Sequence, residues 1–257
     1  MFKEYFGIRF EFDHAEVDRI IEEQIREDKP GYVCSLDGNN FSIAINNPDH
    51  LRILNEAIVN NCDSTWVPTM VNRIYGTHYS NYCGADLFID YIKKQKFRQF
   101  FLGSNREVLD GLKKEMTKLD PKVSNMRFEE LPFRKVEEFD YEGIAEMINE
   151  DAPDIIWVSL GAPKQENFMN RLQPYLKRGV MFGFGAIFNF YSGLDNAPKR
   201  APQFMINLHL EWLDRIFKEP KKQIKRCKNI AMTLPRAYIE EKKRLTRSTG
   251  KASSERE

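Results

Sequence analysis

Apolar positions along this chain fall into short runs that alternate with stripes of helical spacing. Phe6 to Phe12 reads as a short strand, and Asp13 then caps a helix whose inner face carries Val17, Ile20, Ile21 and Ile25. Tyr32 to Leu36 reads as a second strand running into the polar cluster Ser35, Asp37, Gly38, Asn39 and Asn40. Pro48-Asp49 then starts a helix with Leu51, Leu54, Ile58 and Val59 on one side. Phe97 to Leu102 is a buried-type strand, Gly103-Ser104 a turn and N-cap, and Val108, Leu109, Leu112 and Met116 the stripe of the next helix. Asp154 to Gly161 is the strongest strand signal and leads through Ala162-Pro163-Lys164-Gln165-Glu166 into a helix reaching about Leu176; Gly179 to Phe184 is a further apolar strand. Strands separated by helices need crossover connections, so the expected fold is α/β: a Rossmann-like, mostly parallel sheet flanked by helices.

After Pro202 the spacing becomes helical only. Phe204, Leu208, Trp212 and Ile216 recur until Glu219-Pro220 breaks the run; Ile224, Cys227, Ile230, Ala231 and Leu234 then line one side, with Lys222, Lys225, Arg226 and Lys228 on the other. This divides the chain into a core over 1–198, a basic helical appendage over 199–247 and a tail over 248–257 whose composition reads as disordered.

Charge sharpens that division. Lys plus Arg number 39 against 38 Asp plus Glu, so the net charge of +1 makes no whole-molecule case for nucleic acid. Between Lys199 and Arg247, however, 14 basic residues meet 5 acidic ones, a local charge of +9 that leaves −8 to the rest. Such a segment suits an anionic membrane surface or a lipid diphosphate, and intramolecular or oligomer packing would use the same stripe. An apolar face without cover off the membrane also suggests self-association. No stretch approaches the roughly 20 apolar residues of a membrane span, and no signal-like apolar run opens the chain. Cys34, Cys62, Cys83 and Cys227 fit neither a zinc pattern nor a disulfide framework. The expectation is a reduced cytoplasmic protein, peripheral on the inner face of the cell membrane.

In an open α/β sheet, ligands sit beyond the carboxyl ends of the strands, so 35–40, 103–106 and 161–166 should converge on one crevice. Gly161 and the helix N-terminus at Lys164 and Gln165 could cradle a diphosphate, or could form an ordinary structural cap. Gly183-Phe184-Gly185-Ala186-Ile187-Phe188 is a poor dinucleotide fingerprint; Gly185 fits close approach to a ligand or simple packing. Asp63 could be a partly desolvated general base, or Asp63 or Ser64 could merely cap the helix near Val67. His14, His50, His78 and His209 form no metal pair, and the absence of any Asp-x-Asp removes the usual carboxylate pair for a divalent ion, so no metal is expected.

The order Gly161-Ala162-Pro163-Lys164-Gln165-Glu166, Arg200-Ala201-Pro202, Leu210-Glu211-Trp212-Leu213-Asp214-Arg215 and Glu219-Pro220 resembles the WecG/TagA/CpsF family of bacterial glycosyltransferases, over about residues 5 to 235. That resemblance implies transfer of an N-acetylmannosamine-type sugar from UDP to an undecaprenyl-diphosphate-linked saccharide, with inversion and without a metal. It makes Asp63 the catalytic base, with Gln165 beside it in a catalytic role. Ser35, Asp37, Asn81, Gly103, Ser104, Gly161, Lys164, Glu166, Gly185, Arg200 and Arg215 become the substrate-binding set. The family usually shows Thr-x-Asn where this chain has Ser35-Leu36-Asp37, and Arg where it has Asn81; both changes alter charge near the donor. A noncatalytic nucleotide-sugar-binding or membrane-adaptor relative, or an NAD-dependent oxidoreductase, are the competing readings.

Overall fold

The computed structural model describes residues 3–202, 204–205 and 211–254. It begins with an antiparallel hairpin, β1 (Lys3–Tyr5) and β2 (Ile8–Phe10), where one strand was expected. Phe6 and Gly7 both take positive φ, 57° and 77°, the two-residue turn that matches strand twist and folds the apolar run back on itself. Next come α1 (His14–Arg26), β3 (Gly31–Leu36), α2 (Gly38–Asn46), α3 (Pro48–Glu56), β4 (Val59–Cys62), α4 (Trp66–Tyr75) and α5 (Gly84–Lys93). The chain continues with β5 (Gln99–Gly103), α6 (Arg106–Thr117), β6 (Arg127–Glu129), α7 (Tyr141–Asp151), β7 (Ile155–Ser159), α8 (Lys164–Leu172), β8 (Val180–Gly183) and α9 (Ile187–Tyr191). It closes with α10 (Glu211–Lys218) and α11 (Pro220–Ser254).

Strands β3 to β8 form one six-stranded parallel sheet in the order β4-β3-β8-β7-β5-β6. Alternation within each strand feeds two cores, one on each face. Ile156 and Val158 of β7 point into one, with Cys34, Leu36 and Met181; Ile155 and Trp157 point into the other, with Val33, Val180 and Phe182. Because all six strands run the same way, their carboxyl ends share one edge, and the loops carrying Asp37, Asp63, Ser104, Gly161 and Gly185 gather there.

Three local readings are corrected. Gly38, Asn39 and Asn40 open a helix rather than a loop, because Asp37 at the N-cap accepts the Asn40 N–H at 2.7 Å. Ile58 and Val59 lie beyond the end of α3, and Val59 starts the edge strand β4, whose polar Asn60 is buried by donating to the Arg9 and Leu54 carbonyls. The N-cap of α6 is Asn105, which accepts the Val108 N–H at 3.0 Å, not Ser104.

The helix break at Glu219-Pro220 separates α10 from α11 as the spacing requires. Leu208 lies outside the described residues. Helix α11 lies along the core: Thr233 Oγ1 is 2.8 Å from Ser42 Oγ, the Tyr75 hydroxyl donates to Glu241 at 2.6 Å, and Arg244 pairs with Glu4 at 2.9 Å. Ala237 and Glu241 are buried in that contact. The other side leaves Ile224, Met232 and Ile239 exposed, as is Phe217 of α10. The helical backbone continues through 248–254, where composition suggested disorder, as an extension of the ladder begun on the core. No helix among the described residues is long and apolar enough to cross a membrane.

Candidate functional site

A cleft of about 410 Å³ opens at the carboxyl edge of the sheet, within the range of ordinary ligand cavities. Ser35, Asp37, Asp63, Ser104, Gly161, Gln165, Gly185, Arg200 and Arg215 all line it, so loops from β3, β4, β5, β7 and β8 converge as the topology demands. Lys199, Lys218 and Arg226 join Arg200 and Arg215 to give the wall a cationic side. Arg200 is held by Asp86 at 2.7 Å, and Lys218 by Asp214 at 2.6 Å.

A second cavity of about 470 Å³ adjoins the first, and Asp37, Asp63, Arg215, Gln223 and Arg226 border both. Trp66, Cys227, Ile230, Ala231 and Leu234 make the rest of its lining largely apolar, and Asn81 belongs to this cavity rather than to the cleft. Asp63 therefore stands at the junction of a polar, cationic space and an apolar one. Its backbone N–H donates to the Leu36 carbonyl at 2.9 Å, which ties the ends of β3 and β4 together. Neither alternative cap holds the N-cap position of α4, which falls to Thr65 without a side-chain cap; Ser64 Oγ, one residue earlier, accepts the Trp66 N–H at 3.3 Å.

Several expected site residues do other work. Lys164 does not line the cleft; its ammonium lies over the rings of Phe133 and Phe139, 5.3 and 5.1 Å from their centroids. Gly103 (φ 109°) permits contact with the next strand, since a Cβ there would meet the Ser159 carbonyl oxygen at 2.6 Å. Gly161 does not offer its N–H to a ligand, because Gln165 Oε1 accepts it at 3.0 Å. Gln165 faces the cleft, yet both its amide protons are committed, to Glu166 at 3.0 Å and to the Gly183 carbonyl at 2.8 Å. It shapes the wall and has no proton left for a leaving group. Glu166 is fully buried and absent from the lining.

Behind that wall lies a polar network the sequence pattern did not reveal. Glu166 Oε1 accepts from Gln165 and from Asn40 Nδ2, the latter at 2.9 Å, and Asn40 Oδ1 faces His50 Nε2 at 2.5 Å. Burial pushes the Glu166 carboxyl up to about 7, with the Asp37 charge adding to it, and pushes His50 down to about 4. Burial also raises the Cys83 thiol, which lines the cleft beside Arg200. Among the described residues no group of three or more His, Cys, Asp or Glu is placed to hold a metal ion.

A family model described as the glycosyl transferase WecG/TagA/CpsF family matches residues 4–248. The chain is 29% identical over 181 residues to a Bacillus spizizenii protein named N-acetylglucosaminyldiphosphoundecaprenol N-acetyl-beta-D-mannosaminyltransferase, covering 69% of this chain and 67% of the relative. A Bacillus subtilis protein of the same name is 28% identical over 180 residues, with 69% and 67% covered. A Staphylococcus aureus protein, again so named, is 26% identical over 225 residues, with 80% and 83% covered.

Proposed function

The chain belongs to the WecG/TagA/CpsF family of glycosyltransferases, and we propose that it moves an N-acetylhexosamine, N-acetylmannosamine or a relative of it, from UDP to an undecaprenyl-diphosphate-linked saccharide, with inversion and without a metal ion. The observation that carries this reading is the meeting of two unlike cavities along a shared border that holds the Asp63 carboxylate, with Asp37 beside it. The cationic cleft takes the nucleotide diphosphate; the adjoining space, apolar along α11, takes the acceptor with the first part of its lipid. Names of the relatives, which specify an N-acetylglucosaminyl-diphosphoundecaprenol acceptor, agree with that division.

In the reaction, Asp63 removes the proton from the acceptor hydroxyl as that oxygen bonds to the anomeric carbon from the face opposite UDP. The bond to the diphosphate oxygen breaks and UDP leaves with the electron pair. Charge grows on that oxygen, and in this reading Arg215, Arg226, Lys199 and Lys218, which line the cleft, and the N-terminal dipole of α8 stabilise it. Helices α10 and α11 wall both cavities, so acceptor and donor are shielded from water that would hydrolyse the sugar nucleotide. The exposed Phe217, Ile224 and Met232, with Lys221, Lys225 and Lys228 nearby, suit peripheral contact with anionic lipid at the cytoplasmic membrane face. The test is UDP release from a panel of UDP-sugars with the lipid-linked acceptor, with and without EDTA. Release that needs both substrates, is greatest for UDP-N-acetylmannosamine or a close relative, and is unchanged by EDTA is expected. Activity abolished by EDTA and restored by manganese, or no release with any donor, would overturn the reading.

A further inference from the structure

A fully buried acid with one oxygen bonded twice and the other bonded to nothing is a poor way to stabilise a core. Glu166 is such a group: Oε1 accepts from Asn40 at 2.9 Å and from Gln165 at 3.0 Å, while Oε2 has no hydrogen-bond partner. A well-packed apolar side chain would serve stability as well or better, because burying an acid costs desolvation in either protonation state. What the carboxylate does achieve is a junction. Asn40, at the start of α2, donates its own N–H to Asp37, which borders both cavities. Gln165, at the start of α8, fixes Gly161 through its oxygen and reaches the Gly183 carbonyl through its second proton. One oxygen thus ties the loop after β3 to the loop after β7, on either side of the cleft.

His50 completes the arrangement from α3. The amide protons of Asn40 point to Glu166, so its Oδ1 faces His50 and can only accept; the imidazole therefore carries its proton on Nε2. Held neutral by burial, it locks the orientation of the Asn40 amide. The titratable groups facing Glu166 are Cys34 from β3, Asp37 from the cap of α2 and, through Asn40, His50 from α3.

We propose that Glu166 is a positioning residue for the cleft: its carboxylate clamps the Asn40 and Gln165 amides together and so sets the separation and orientation of the Asp37 and Gly161 loops that receive the donor. This rests on the reading of the cleft as a UDP site. It predicts that what matters is an acceptor oxygen at this point, not negative charge on a ligand-contacting group.

The test uses full-length protein with Glu166→Gln and Glu166→Leu, UDP as probe in calorimetry, and hydrogen exchange at the Gly161 amide as a readout independent of ligand. Glu166→Gln keeps a carbonyl for both amide protons and should hold UDP affinity and Gly161 exchange within about threefold of the natural protein. Glu166→Leu, similar in volume but without an acceptor, should weaken UDP by about tenfold or more, as misplaced positioning groups do, and speed Gly161 exchange to a like degree. Natural affinity and exchange in Glu166→Leu would overturn the proposal while leaving the UDP site standing; a natural protein that does not bind UDP would remove the site itself and the proposal with it. If Glu166→Leu does not fold, Asn40→Ser breaks the same junction from the other side and is read identically. Failure of both to fold would also overturn the proposal, since the acid would then serve the core rather than the site.

Discussion

Gly185→Ala adds a single methyl where the loop after β8 crosses the loop after β7. A Cβ at residue 185 would lie 2.4 Å from Gly161 Cα, 2.5 Å from Gly161 N and 2.9 Å from Gln165 Oε1. Carbon atoms in comfortable contact are about 3.5 Å apart, so one loop must recede by about 1 Å. No side-chain rotation can absorb this, because two of the three atoms are backbone and the third is anchored by the Gly161 N–H. Overpacking of this kind costs about 1–3 kcal/mol, and for a chain of this size each kcal/mol lowers Tm by about 2–4 °C. The catalytic cost is of similar size, since displacing a substrate-positioning element by about 1 Å reduces rate by about 100-fold. Steady-state UDP release at saturating acceptor, with Tm from calorimetry on the same sample, measures both. A variant with kcat/KM within about threefold of the natural enzyme would refute the claim that these two loops must pack at glycine distance to form the donor site.

Two further outcomes follow from features outside the cleft wall. Phe217 and Ile224 are 75% and 60% exposed, so the double change Phe217→Glu, Ile224→Glu should leave Tm nearly unaltered while abolishing sedimentation with anionic vesicles; binding by the natural protein should weaken with added salt as surface attraction is screened. Unchanged vesicle binding would exclude this face as the anchor. Glu166 and His50 should also leave a signature in stability against pH. The native Glu166 pKa of about 7 lies above its ordinary 4.5, so the native state holds a proton that the unfolded chain releases, and stability from this group falls as pH rises between those values. His50, at about 4 against 6.5, has the opposite sign and loses stability as pH falls through its window. The two slopes offset where the windows overlap, so scanning calorimetry across pH 4 to 8 should show Glu166→Gln gaining stability with rising pH, relative to the natural protein, between the two Glu166 values; parallel curves for the two proteins would contradict the burial argument.

How far the chain disclosed itself depended on whether polarity and burial agreed. Strands β3, β5, β7 and β8 are buried on both faces and read as apolar runs, and the parallel sheet follows from the helices between them. Strand β4 hides because Asn60 and Asn61 are polar yet buried, their Nδ2 protons donated to carbonyls and to Ser35 Oγ. Helix α2 hides because Gly38-Asn39-Asn40 has turn composition; only the Asp37 cap, three residues before Asn40, signals it. The motif around Gly161 lies at the cleft, but its spacing does not give the direction of each side chain. In the first turn of α8, Lys164 turns outward to two phenylalanines, Gln165 faces the cleft and Glu166 faces the core, a division that spacing alone cannot assign. The spacing of α11 likewise does not disclose that Thr233 and Glu241 bond to Ser42 and Tyr75 of the core.

In the proposed reaction the Asp63 carboxylate is the base that receives the acceptor proton. Asp63→Asn keeps the shape of the junction and removes the basic group; turnover should fall by about 100-fold or more, with UDP affinity and Tm close to those of the natural protein. Turnover within a few-fold of natural, at unchanged UDP affinity, would contradict it.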